Sequence, residues 1–251
     1  MIFQSRLPYD VFQPRALPGI LPLGDLPWLM VDDAYAPQMA HRRTLTAKHP
    51  DRVLATADPS TDATQDMLDE ILSHLPDGFD ATETQVTCPD GVTVPVNRSE
   101  PFHTLSNILQ EDVCLLEKRG KEHVLTGASL CFPASWRLAE KIGHPLTHIH
   151  DPVDDYTDEL AKRVQRLFDG VRAGRAIWRF NALWYEDPEL HQPRSAANPR
   201  PLTEAGETPY LRSERQVIWR LPKSNAVLFT NHTYVIPRDR VKEPFRLTET
   251  A

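Results

Sequence analysis

Three histidines fall within seven positions in the stretch HPLTHIHDPVDDY, residues 144–156, and an acidic, proline-bearing run follows at once. Imidazole is the commonest metal ligand and titrates near neutrality. A zinc or iron site made of side chains alone takes three or four ligands, and the bare H-x-H of His148 and His150 supplies two from an expected loop. Asp151, Asp154 and Asp155 would complete a set, but a helix start already accounts for acidic residues here. Asp151 suits an N-cap, Pro152 the first helical position and Asp154 the positive end of the dipole. A haem asks for less: one axial histidine beside a helix start, with apolar and aromatic walls. The plain reading of His144, His148 and His150 is a surface loop.

Two stretches further on carry a second set of candidates. In PYLRSERQVIWRL, residues 209–221, strand alternation puts Arg212, Glu214, Gln216 and Arg220 on one face and Leu211, Ser213, Arg215, Val217 and Trp219 on the other. Arg215 is the lone charge on the apolar face, and a buried cation is costly without an anion to meet. A cofactor carboxylate, a bound oxygen molecule or a core carboxylate would each serve. In RAIWRFNALWY, residues 175–185, Ala176, Trp178, Phe180, Ala182 and Trp184 share one face, with Arg179 and Asn181 on the other. Such an aromatic face is either core or the wall of a cofactor pocket. Asn181 and Glu214 are the polar partners a pocket would use, and Glu214 or Trp184 would meet a cationic ligand. His103, His191 and His232 read as side chains outside any site.

Around these candidates the chain reads as helices first and strands later. Prolines crowd the first 30 residues, which excludes a long helix or central strand there and predicts a segment that wraps the surface. Helices are expected from Asp32 or Asp33 through Lys48, and from Asp62 to Leu75 with Met67, Leu68, Ile71, Leu72 and Leu75 on one face. Residues 112–117 and 123–131 form a hairpin about Arg119 and Gly120. A helix over 134–142, with Trp136, Ala139 and Ile142 inward, should stop at Gly143, and another should run from Asp151 to about Val171. Strands at 175–185, 209–221 and 226–236 follow, the last two joined by the turn PKSN. The order predicts an α+β fold around an antiparallel sheet of about five strands.

Composition narrows the chemistry. Twenty-eight Lys and Arg against 35 Asp and Glu give a net charge of -7 over 251 residues, which argues against a nucleic-acid surface. Cys88, Cys114 and Cys131 are odd in number and lack C-x-x-C spacing, so neither a disulfide framework nor an iron–sulfur site is expected, and the compartment should be reducing. No apolar run of about 18 residues and no leader-like N-terminus is visible, so no membrane association and a cytoplasmic location are expected. Dinucleotide and P-loop fingerprints are missing, and any electrons for redox chemistry must come from elsewhere.

Seven segments in order, LQEDVCLLE, CFPASWRLAEKIG, IHDPVDDY, IWRFN, DPELHQP, RSERQ and AVLFTNHTY, resemble the haem-dependent oxidative N-demethylase family over about residues 20–237. The resemblance implies a single haem-binding, PAS-like catalytic domain, with residues 1–30 as its wrapping segment and 238–251 as a tail. It also implies oxygen-dependent demethylation of a small secondary amine such as dimethylamine by haem b. NADPH, FMN and an iron–sulfur centre would then sit on partner reductase subunits. The family's pattern I-H-x-P-V falls on Ile149, His150, Pro152 and Val153, which makes His150 the expected axial ligand, with His148 the fallback and His144 structural. Tyr156, Trp178 and Trp184 are the expected haem contacts, and Arg215, Glu214 and Asn181 the expected catalytic groups. The rival reading is a haem PAS-like domain that binds a gas or small ligand without turnover.

Overall fold

The computed structural model describes residues 1–12, 19–57, 61–150, 158–195, 197–198 and 208–241, without the side chains of 150 and 158–161. In chain order the elements are β1 (Leu21–Pro22), α1 (Tyr35–Lys48), α2 (Pro50–Val53), β2 (Leu54–Thr56), α3 (Asp62–Ser73), β3 (Asp80–Ala81), β4 (Gln85–Thr87), β5 (Thr93–Pro95) and α4 (Pro101–Ile108). There follow β6 (Asp112–Arg119), β7 (Glu122–Ser129), α5 (Leu146–His150), α6 (Asp158–Gly170), β8 (Ile177–Tyr185), β9 (Tyr210–Arg220) and β10 (Val227–Pro237).

The expected α+β class holds, but the main sheet has seven strands rather than five, in the order β1-β8-β9-β10-β6-β7-β2. The five long strands are those that alternation reveals. The two edge additions, β1 and β2, are two and three residues long, too short to carry a readable period. Strands β3, β4 and β5 form a small second sheet within a stretch that reads only as polar, and α4 follows it unannounced by any long apolar period. The β9–β10 hairpin closes through Asn225, whose φ of 64° is the left-handed geometry that asparagine tolerates.

Sheet register sorts side chains onto two faces. Helices α1, α3 and α4 cover one of them, packing Met39, Met67, Ile71, Phe102 and Leu105 against Val113, Leu115, Trp178, Val217 and Leu228. We call this the core face. The proline-rich N-terminal segment does not merely wrap the surface, because Trp28 and Leu29 are buried in that core. On the opposite face Cys114, Leu116, Ile218 and Val227 pack with Leu146 and Ile149 of α5 and with Val164 and Phe168 of α6. We call this the α5 face.

Two expectations around the histidines need correction. Residues 134–142 form no α-helix; a single 3-10 turn at Leu138–Glu140 remains, with Leu138 buried and Ala139 exposed. The chain instead pairs with β7, the Gly143 amide donating to the Leu125 carbonyl at 2.8 Å and the Leu125 amide to the His144 carbonyl at 3.0 Å. Tertiary pairing has won over local helical preference, although Gly143 does end the segment with a positive φ of 78°. His148 and His150, expected in a loop, belong to the helical turn α5. The expected helix start at Asp151 lies outside the described residues, and its continuation is α6.

Candidate functional site

The placement of α5 follows from its neighbours. Pro145 bridges to Val124, Leu146 is buried, and Ile149 packs into the apolar cluster of the α5 face. Lys141 Nζ donates to the Ile149 carbonyl at 2.7 Å, a cation at the negative end of the turn. Thr147 Oγ1 donates to Glu122 Oε1 at 2.6 Å and anchors the turn to the end of β7. His144 and His148 are exposed, their rings 4.2 Å apart. The side chain of His150 and all of Tyr156 lie outside the described residues. Sequence and backbone therefore bring the H-x-H to the α5 face without deciding which imidazole points where.

On that face β8, β9 and β10 lay down side chains in rows. Ile177, Ile218 and Phe229 form an apolar row that continues to Cys114 of β6. The next two rows are polar: Arg179, Gln216 and Asn231, then Asn181, Glu214 and Thr233. Beyond them lie Leu183, Arg212 and Val235. Glu214 is the centre of the polar rows and only 8% exposed. Its Oε2 accepts from Asn181 Nδ2 at 3.1 Å and from Gln216 Nε2 at 3.3 Å, while Arg212 Nε lies 3.5 Å from its Oε1. The Glu214 amide donates in return to Asn181 Oδ1 at 3.1 Å.

Three buried atoms in these rows have no hydrogen-bond partner among the described residues: Arg179 Nε, Asn231 Oδ1 and Thr233 Oγ1. Buried polar atoms are nearly always satisfied in folded proteins, so three orphans on one patch make it a candidate for meeting a ligand. Burial strips water from the Arg179 guanidinium and lowers its pKa, against the opposing pull of Glu214. Cys114, at the edge of the apolar row, is held as a neutral thiol because burial pushes its pKa far up. It offers no thiolate to compete with imidazole for a metal.

The remaining sequence candidates are on the other side of the sheet. Arg215, Trp178 and Trp184 project from the core face, so the sheet separates them from Asn181, Glu214 and α5. Arg215 is 4% exposed and donates to the carbonyls of Trp28 at 2.9 Å and Pro27 at 2.5 Å, with its guanidinium over the Trp178 ring. It ties the N-terminal segment to the sheet. The Trp184 ring is capped by Arg238, 3.6 Å from its centroid. His232, set aside in the sequence, is wholly buried on this face between Glu111 and Asp32. His191 holds the Cys131 carbonyl at 2.8 Å and His103 is exposed. Sequence reasoning passed over Arg179 as a candidate, although alternation set it beside Asn181. Asn231 and Thr233 carried no signal, because only the β9–β10 register brings them into the rows.

Compared with known families, residues 20–250 match the model of the family described as haem-dependent oxidative N-demethylase, alpha subunit-like. The chain belongs to that family. A haem-dependent N-demethylase must hold a porphyrin with two carboxylates and admit an amine. The residues present fit such a group in kind: apolar side chains for the macrocycle, the Arg179 guanidinium and the Thr233 hydroxyl as donors for acids, and a histidine-bearing turn packed at the edge. Among the described residues no group of three or more His, Cys, Asp or Glu could hold a bare metal ion. None of the described helices is long and apolar enough to cross a membrane.

Proposed function

We propose that this chain is the catalytic subunit of an oxygen-dependent N-demethylase. It would hold haem b on the α5 face of a PAS-like domain and receive the ammonium of a small secondary amine, such as dimethylamine, at Glu214. The observation that carries this reading is the row arrangement: a nearly buried carboxylate, fixed by two amides and flanked by three unsatisfied polar atoms, on the face that α5 edges. His150 is the axial ligand of this reading, with His148 as fallback. When bound, the haem supplies the oxygen chemistry.

The chain's own residues do the positioning. Glu214 accepts the amine N–H and balances its positive charge, and because Asn181 and Gln216 already orient the carboxylate, little reorganisation is needed on binding. Gln216 and Asn181 also keep Oε2 occupied, so the ligand's N–H meets Oε1, which hydrogen-bonds no other described residue and has Arg212 Nε 3.5 Å away. The apolar row of Ile177, Ile218 and Phe229 keeps water from the neighbouring space and aims an N-methyl group away from the polar rows. The product of that methyl group would be formaldehyde. Reducing equivalents come from partner subunits carrying NADPH, FMN and an iron–sulfur centre, a division that suits a chain of an alpha-subunit-like family without nucleotide fingerprints.

Formaldehyde release by the haem-loaded chain with a purified reductase, NADPH, oxygen and dimethylamine tests the proposal. Glu214→Gln should lower kcat/KM on the order of tenfold to a hundredfold, the worth of one hydrogen bond to a charged group. A haem-loaded chain that binds the amine but releases no formaldehyde would favour the sensor reading.

A further inference from the structure

The α5 face contains a half-buried cation that no described residue meets with a hydrogen bond, Glu214 acting on it through charge alone. Each of the deeply buried arginines is supplied with acceptors. Arg42 reaches Asp112 and the carbonyls of Gln110 and Glu111. Arg212 reaches three carbonyls, those of Phe132, Glu189 and Leu190, and Arg220 three more, those of Phe168, Val171 and Asn225. Arg215 has its two. Arg179 has no hydrogen bond or ion pair with any described residue, and its Nε is buried. Gln216, beside it in the same row, gives its amide to Glu214. Asn231, the third member of the row, leaves its own Oδ1 unanswered, and the Thr233 hydroxyl, at 1% exposure, is likewise unpartnered.

An arginine fork matches a carboxylate in two parallel hydrogen bonds, and Arg179 presents a half-buried fork whose Nε is shut off from water without a partner. We propose that Arg179 is the carboxylate-binding group of this pocket. The carboxylate is either a haem propionate or the acid group of the substrate itself, which would make the substrate an N-methylated amino acid. Register makes the second source physically reasonable. Arg179 opposes Gln216, so Glu214 is its diagonal neighbour, about 7–8 Å away at the backbone. A zwitterion spans that gap with its ammonium on Glu214 and its carboxylate on Arg179. The Thr233 hydroxyl then finds an acceptor in the carboxylate, and Asn231 Oδ1, an acceptor itself, an N–H of the ammonium. The inference rests on the placement of haem and amine on the α5 face proposed above.

Arg179→Gln tests it in two arms. In the first, haem and haem dimethyl ester are titrated into wild type and variant. If a propionate is the partner, wild type binds haem tighter than the ester on the order of tenfold or more, and the variant loses that preference. In the second, the haem-loaded proteins are titrated with N-methylglycine and with dimethylamine, followed in the absorption spectrum. If the substrate carboxylate is the partner, the variant loses N-methylglycine affinity on the order of tenfold or more and keeps dimethylamine. Thermal melts of the haem-free proteins separate binding from folding, and Arg179→Gln should melt close to wild type, since it removes no hydrogen bond to a described residue. A variant that matches wild type in both arms, or that loses binding only in proportion to a lowered melt, overturns the inference. Wild type that takes up no haem overturns the reading of the face as well, and is thereby distinguishable.

Discussion

His232 couples the stability of the core face to pH. Its Nδ1 lies 2.9 Å from Glu111 Oε1 and its Nε2 3.0 Å from Asp32 Oδ2, and the residue is wholly buried. Burial pulls its pKa down, yet the two carboxylates outweigh burial and raise it to about 9. Arg215, opposite it on β9, also feels Glu111, and Tyr9 and Tyr234 close the group. A folded pKa of about 9 against a model value of 6.5 stabilises the protonated fold by about 3 kcal/mol at 1.36 kcal/mol per unit. Because the folded pKa is the higher one, that stability is complete below pH 6.5 and is lost as pH rises through about 9. Urea unfolding followed by tryptophan fluorescence should therefore show wild type losing about 3 kcal/mol between pH 6 and 9.5. His232→Gln, weaker at pH 6, should be nearly flat up to about pH 8, beyond which unfolded thiols begin to ionise in both proteins. Wild-type stability that does not fall between pH 6 and 8.5, or a variant with the same slope, refutes the argument.

Other perturbations test other parts. Arg215→Leu should cost roughly 2–4 kcal/mol in urea unfolding, because it strands the buried Trp28 carbonyl and uncovers Glu111, while haem content per folded molecule stays normal. Asp112→Ala leaves Arg42 charged and buried and removes the acceptor of the Cys131 and Phe132 amides, so a loss of about 3–5 kcal/mol is expected in the same assay. A methyl at Gly127 would run into the buried ring of Phe102, and Gly127→Ala should lower stability by about 1–3 kcal/mol with no change in amine selectivity. His150→Ala should abolish haem retention while His144→Ala leaves it intact, measured as the haem-to-protein ratio after gel filtration.

Long periods were legible in the sequence and short or non-local ones were not. The amphipathic run of α3 and the alternation of β8, β9 and β10 are local patterns, and they appear in the structure close to where they read. Residues 134–142 have helical composition but spend their backbone on Leu125, a partner that no local pattern announces. Alternation also separated Glu214 from Arg215 correctly, yet it could not say that β9 is buried on both sides, so burial alone does not single out either face. Arg212, Glu214 and Arg220 are as hidden as Arg215, and only their partners distinguish a structural arginine from an unanswered one. Asn181 and Glu214 were readable as a polar pair; their junction with Asn231 and Thr233 needed the register of a third strand.

Titration of the haem-loaded chain with dimethylamine, followed in the Soret band, tests most directly the claim that the amine meets Glu214 beside a haem on the α5 face. Wild type should show a saturable shift, and Glu214→Gln, with the same haem content, should need on the order of tenfold or more amine to reach it. Identical shifts at identical concentrations in the two proteins would contradict the account.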